Sequence, residues 1–198
     1  MSRNSGHGLT CCARTEAEIS QEADTFKPLI AEAVIQFYGP SCGRAGLLPL
    51  EEAARFSEEE EAVWSGQIAD LNGDQIARLA IKCAEEHSAT EEGYNRNLLY
   101  LLVKSADKGS ALGLNELGAA QMYCYQGVKR DIPSAAKWLE AAVAKHDTQA
   151  MQSLGFLHVN GLLGGESSFE YGKSLLLRCS IVGNQDCKTQ YEFLGNSP

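Results

Sequence analysis

The sequence predicts an all-α chain of stacked helix–loop–helix hairpins, and three observations carry the prediction. Apolar residues recur at helical spacing and do not alternate. Two stretches align without a gap at an offset of 37 residues. Small residues recur at fixed places inside the apolar stripes, where Gly costs about 1 kcal/mol against Ala in a helix interior. A cost repeated at a fixed interval points to a repeated benefit, namely close approach of a neighbouring helix. The 198 residues are 44% hydrophobic and 22% charged, which excludes a globally disordered or collagen-like chain.

Residues 1–12 read as disordered, 13–67 as a non-repetitive helical cap and 68–198 as about three repeat hairpins. In the cap, TEAEISQEADTFKPLIAEAVIQFYG reads as one or two helices broken near Pro28 and stopped by Gly39-Pro40. SCGRAGLLP reads as a loop. Leu50 to about Leu71 reads as a helix interrupted at Phe56-Ser57, with Ser57 as N-cap and Glu60 completing a capping box. Asp70-Leu71-Asn72-Gly73-Asp74 begins like a calcium loop. The Gly and Glu that such a loop needs further on are replaced by Gln75 and Ile81. A turn at Asn72-Gly73, with Asp74 capping a helix from Gln75, is the expected structure.

The repeat is clearest from Leu117. Leu117-Gly118, Gly127, Ala135, Trp138, Leu139, Ala142 and Ala150 align with Leu154-Gly155, Gly164, Gly172, Leu175, Leu176, Cys179 and Cys187. A further step forward reaches Tyr191-Glu192, where the pattern decays. A step back of 37 or 38 reaches Leu79-Ala80, followed by Leu98, Leu101 and Ala106. Gly109 then stands at the His146 position. Ala150, Leu154 and Leu157 form one helical stripe, and Ala135, Trp138, Leu139 and Ala142 form another. Between the stripes, Gly127 suits a helix C-terminus, Asp131 an N-cap and Pro133 a first helical turn. One hairpin cannot bury both of its stripes, but stacked neighbours can.

This pattern resembles the Sel1-like repeat family, a relative of the tetratricopeptide repeats. Ala106, Gly109, Gly113, Leu117, Gly118, Gly127, Val128, Asp131, Ala135, Trp138 and Ala142 stand at the family's places. The match is good over 104–155, weaker over 156–195 and faint over 68–103. One extra residue lies between Gly118 and Gly127, and the second unit has Ser168 and Leu175 where the family has Asp and Trp. The resemblance implies a right-handed α-solenoid that binds proteins or peptides without catalysis.

The same resemblance directs attention to the first helix of each hairpin, which lines the concave surface in tetratricopeptide-like stacks. Residues offset by about 100° from the Leu117 and Leu154 stripe are Asn115, Ala119 and Met122, with equivalents Gln152, Phe156 and Val159. Phe193 continues the series from Phe156. These seven residues are the candidate partner-binding face, the alternative being that they pack between repeats. Tyr123 and Tyr125 precede Gly127, and one of them is expected at the rim.

Charge and cysteine usage bound the setting. Residues 1–99 hold 8 Lys and Arg against 17 Asp and Glu, whereas residues 100–198 hold 9 of each. The net charge of −9 argues against nucleic-acid binding, and no apolar run is long enough for a membrane span. Glu58, Glu59, Glu60 and Glu61 form an acidic patch that either offsets a helix dipole or docks a basic partner. MSRNSGHGLTCCARTE lacks the apolar core of a secretory signal. Seven cysteines nonetheless point to an oxidising compartment, so periplasmic or secreted and cytoplasmic settings both stand as expectations.

Cys179 and Cys187 would lie about 12 Å apart in one continuous helix, too far for a disulfide. A helix end at Gly183 would let them face each other. Both a disulfide and two buried thiols fit, and the resemblance to secreted, cysteine-rich Sel1-like proteins implies the disulfide. Cys42 and Cys83 are a second candidate pair, joining cap to array. Cys124 aligns with Gly161 and is expected as a small core residue.

The sequence carries no HExxH, nucleophile elbow, P-loop or dinucleotide fingerprint, and no metal or cofactor site is expected. The resemblance implies an inhibitor or immunity protein against a secreted effector such as a basic toxin, or an adaptor in envelope or secretion assembly. The competing expectation is a secreted hydrolase acting on cell-wall-related substrates.

Overall fold

The computed structural model describes residues 46–86, 92–164 and 167–195. Among them the regular structure is helical: α1 (Leu50–Ala53), α2 (Glu58–Ile68), α3 (Gly73–Glu86), α4 (Glu92–Asp107), α5 (Ala111–Tyr123), α6 (Ile132–Val143), α7 (Thr148–Val159), α8 (Phe169–Ile181) and α9 (Gln185–Gly195). A short 3₁₀ turn, Tyr125–Gly127, follows α5. The expected disorder of 1–12, the helices expected within 13–45, and Cys42 lie outside the described residues.

From α3 onward each helix packs on the next, and α5 also touches α3 and α7. The N-caps explain where the helices start. Ser110 Oγ accepts from the Gly113 N–H at 3.2 Å, Asp147 Oδ1 from the Ala150 N–H at 2.8 Å and Asn184 Oδ1 from the Cys187 N–H at 3.0 Å. These caps are 37 residues apart. Asp131 and Ser168, which cap α6 and α8, share the same interval.

The turns between hairpins keep it too. Gly109, His146 and Gly183 adopt left-handed backbone, with φ of 78°, 66° and 100°. The following N–H groups, of Ser110, Asp147 and Asn184, reach back to the carbonyls of Ser105, Ala142 and Cys179. That closure satisfies carbonyls a helix end would leave bare.

Close approach accounts for the glycines. A Cβ on Gly118 would stand 2.7 Å from Leu139 Cγ and 3.2 Å from the Ala135 carbonyl oxygen. One on Gly155 would stand 3.0 Å from Leu176 Cγ and 3.1 Å from the Gly172 carbonyl oxygen. The facing pairs are the ones the 37-residue offset relates. Two cores result. One gathers Trp64, Ile68, Ile76, Leu99, Leu101 and Leu117, and the other gathers Met122, Leu139, Leu154, Leu157, Leu175 and Leu176. Ala106 and Trp138 pack against both.

Local details depart from expectation in three places. The α3 cap is Asn72, whose Oδ1 accepts from the Gln75 N–H while Gln75 Oε1 accepts from the Asn72 N–H. Asp74, expected as that cap, instead accepts from Ser110 Oγ at 2.6 Å. α5 ends at Cys124, itself left-handed at φ 56°, and Gly127 closes the 3₁₀ turn beyond it. Leu48 bridges in parallel to Val128: its N–H donates to the Gly127 carbonyl at 2.9 Å, and its carbonyl accepts from the Lys129 N–H at 2.7 Å. That bridge ties the chain before α1 to the loop before α6. The expected break at Phe56-Ser57 is present, and Ser57 and Glu60 form the capping box.

Candidate functional site

The candidate face divides by depth. Met122 is fully buried within the second core and offers no surface to a partner, which corrects its expected place. Asn115 is 6% exposed. Ala119, Gln152, Phe156 and Val159 are half-buried, and Phe193 is 72% exposed. The reason lies in the packing of α5. Helices on both of its flanks widen the buried arc beyond one stripe, so the offset at Asn115 and Met122 falls inside the packing.

Sequence reasoning passed over Glu116, which the structure places half-buried beside Asn115. Asn115 Nδ2 donates to Glu116 Oε1 at 3.4 Å. Burial pushes the Glu116 carboxyl above its ordinary range, the Asn115 bond opposes that, and the charge of Asp147 adds to it. Tyr123 and Tyr125 stack with centroids 5.4 Å apart. Burial pushes the Tyr123 phenol up to about 12. The Tyr125 phenol is also raised, by burial and then by the Glu116 charge. Tyr125 is exposed and Tyr123 half-buried. Glu116 carries no periodic signal, because its repeat equivalents are Ser153 and Gln190.

Two of the four glutamates of the acidic patch are engaged in ion pairs within the fold. Glu60 closes the Ser57 cap and pairs with Arg96 at 2.9 Å. Glu61 pairs with Lys104 at 2.7 Å and accepts from the Tyr100 hydroxyl. The Ser57 bonds hold the Glu60 carboxyl low, and the Lys104 bond holds Glu61 low. These pairs seat α2 on α4, where Arg96 also lies over the Phe56 ring and Phe56 meets Tyr100 edge-on. Glu58 and Glu59 remain exposed.

Cys179 and Cys187 are joined, with sulfurs 1.99 Å and Cα atoms 5.8 Å apart across the Gly183 turn. Cys83 is disulfide-bonded, while Cys42 lies outside the described residues. Cys124 is buried, as a core residue would be, and is disulfide-bonded as well.

His158 is buried on α7. Its Nδ1 accepts from the Ser168 N–H at 3.1 Å, and its ring meets Tyr171 edge-on at 4.9 Å. Burial lowers its pKa, with Glu140 pulling the other way. An open pocket of about 520 Å³ lies where Pro49, Leu50 and Glu51 meet Gln121 and Lys129–Pro133. Among the described residues, no group of three His, Cys, Asp or Glu side chains could hold a metal ion. Among the same residues, no helix is long and apolar enough to cross a membrane.

No family model matches the chain, and no curated protein matches it.

Proposed function

We propose that this chain is a Sel1-like repeat protein, a right-handed α-solenoid that binds another protein without catalysis. Its role is that of an inhibitor or immunity protein against a secreted effector, or of an adaptor in envelope or secretion assembly. The observation that carries the repeat reading is the 37-residue recurrence of the N-caps at Ser110, Asp147 and Asn184, together with the left-handed turns before them. Stacked units of this kind present a long, rigid surface at low ordering cost. The Cys179–Cys187 pair supports residence in a periplasmic or extracellular setting.

The binding face we assign is the outer part of the predicted set: Ala119, Gln152, Phe156, Val159 and Phe193. Mass spectrometry of proteins that co-purify with the native chain identifies the partner. Phe156→Asp is then expected to weaken binding by about tenfold or more, as loss of an aromatic anchor does, at unchanged helical circular dichroism. Undiminished binding would contradict the assignment of this face. Ester or peptidoglycan hydrolysis by the purified chain, abolished by one point substitution, would contradict the non-catalytic reading.

A further inference from the structure

The last helix keeps the place of its counterpart but little of its packing. The 37-residue offset relates α9 to α7, which buries Ala150, Met151, Leu154, Gly155, Leu157 and His158. The same places in α9 hold Cys187, Lys188, Tyr191, Glu192, Leu194 and Gly195, and Cys187 alone of these is buried. Lys188 and Glu192 are exposed, while Tyr191 and Leu194 are half-buried at the edge of the second core. α7 packs on α5, α6 and α8, whereas α9 packs chiefly on α8. Docking also leaves the Oε1 of half-buried Gln190 without a hydrogen-bond partner among the described residues. An unmade buried acceptor opposes docking, and a helix of 11 residues is marginal once undocked. Against these stands the Cys179–Cys187 bond, which joins the two helices and is fully buried.

We propose that this disulfide, and not apolar packing, holds α9 on α8, which makes α9 a helix released by reduction. A dithiol reductant attacks one sulfur as its thiolate, forms a mixed disulfide and frees the other cysteine; its second thiol then displaces the first cysteine. The reductant leaves as its own disulfide, and two electrons and two protons have passed to Cys179 and Cys187. Ala142 and Ala150 hold the equivalent turn without a bond because α7 has a buried stripe to dock it. α9 has no such stripe and comes away. It carries Phe193, so release removes one end of the assigned binding face. That consequence rests on the protein-binding reading, whereas the release of the helix does not.

The test is hydrogen exchange, read by mass spectrometry, on the full oxidised chain and on the double variant Cys179→Ala, Cys187→Ala. The variant gives the third turn the filling of the second and leaves the other cysteines in place. The oxidised chain is expected to protect the amides of residues 189–194. The variant is expected to exchange them at least about tenfold faster, with α5 to α8 unchanged. Protection retained to within about twofold in the variant would overturn the proposal. So would faster exchange throughout α7 and α8, or no protection of 189–194 in the oxidised chain. A second measurement needs no substitution: dithiothreitol with an alkylating trap is expected to label Cys179 and Cys187 while α7 and α8 stay protected. Labelling that waits for those two helices to exchange would overturn it as well. None of these outcomes touches the protein-binding reading, which Phe156→Asp tests separately.

Discussion

The three turns that link successive hairpins have one backbone and three different fillings. At the first, Ser105 on α4 faces Gly113 on α5, where a Cβ would run into the Ser105 side chain. The second sets Ala142 against Ala150, both fully buried. The third sets Cys179 against Cys187, bonded to each other. The offset of 37 relates the three pairs, and each turn closes through the same left-handed residue and the same backward hydrogen bond. The comparison teaches that one backbone turn accepts different fillings: small side chains at the first two turns and a larger cystine at the third, which alone makes the turn covalent.

The two full hairpins differ in a parallel way inside their own loops. Asp131 donates its N–H to the Gln121 backbone carbonyl in the first. Ser168, its counterpart, donates to the His158 side chain in the second. Gln121 and His158 are themselves 37 residues apart and both buried. The second hairpin has thus placed a titratable group where the first uses the main chain.

The largest expected effect breaks the similarity of the two hairpins at their shared close approach. Gly155→Leu should destabilise the chain by about 1–3 kcal/mol, because the side chain must enter space held by Leu176 and the Gly172 carbonyl. Urea denaturation reads this as a lower midpoint. An unchanged midpoint would mean that the α7–α8 crossing relaxes freely and is not the tight counterpart of α5–α6.

A smaller effect sharpens the difference between the loops. Burial holds the native His158 pKa below 6.5, so the unfolded chain takes up the proton first. The stability this histidine contributes is complete above pH 6.5 and is lost as pH falls from there towards its lowered native value. Protonation also turns Nδ1 into a donor facing the Ser168 N–H. His158→Gln, which copies the first hairpin, is expected to flatten the fall in stability between about pH 7.5 and pH 5. Equal slopes for the two proteins would remove His158 as the source.

Much of this fold was legible because it is local. The Ser57–Glu60 box, the Asp131 cap and the spacing of Gly118 and Gly155 are written in residues that lie within a few positions of their effect or recur at a fixed one. What was not legible depends on the neighbours. Met122 vanished into the core because α5 is flanked on two sides. The Leu48–Val128 bridge joins segments 80 residues apart by main-chain groups, which leave no trace in side-chain pattern. The left-handed Cys124 took the place expected for Gly127, since a buried, disulfide-bonded residue can be held in a conformation its own propensity disfavours. On the candidate face, Phe156 and Phe193 followed from the repeat offset. Glu116 did not, because a side chain that occurs in only one unit carries no periodicity.

The most direct measurement moves the third turn's chemistry into the second. If the turns are one structural site, Ala142→Cys with Ala150→Cys in the same chain should close a new disulfide on mild oxidation. The mass should fall by two hydrogens, and the short loop closed should raise stability by about 2 kcal/mol. Two alkylatable thiols in the folded, oxidised protein, with a lowered melting temperature, would show that the second turn is not built like the third.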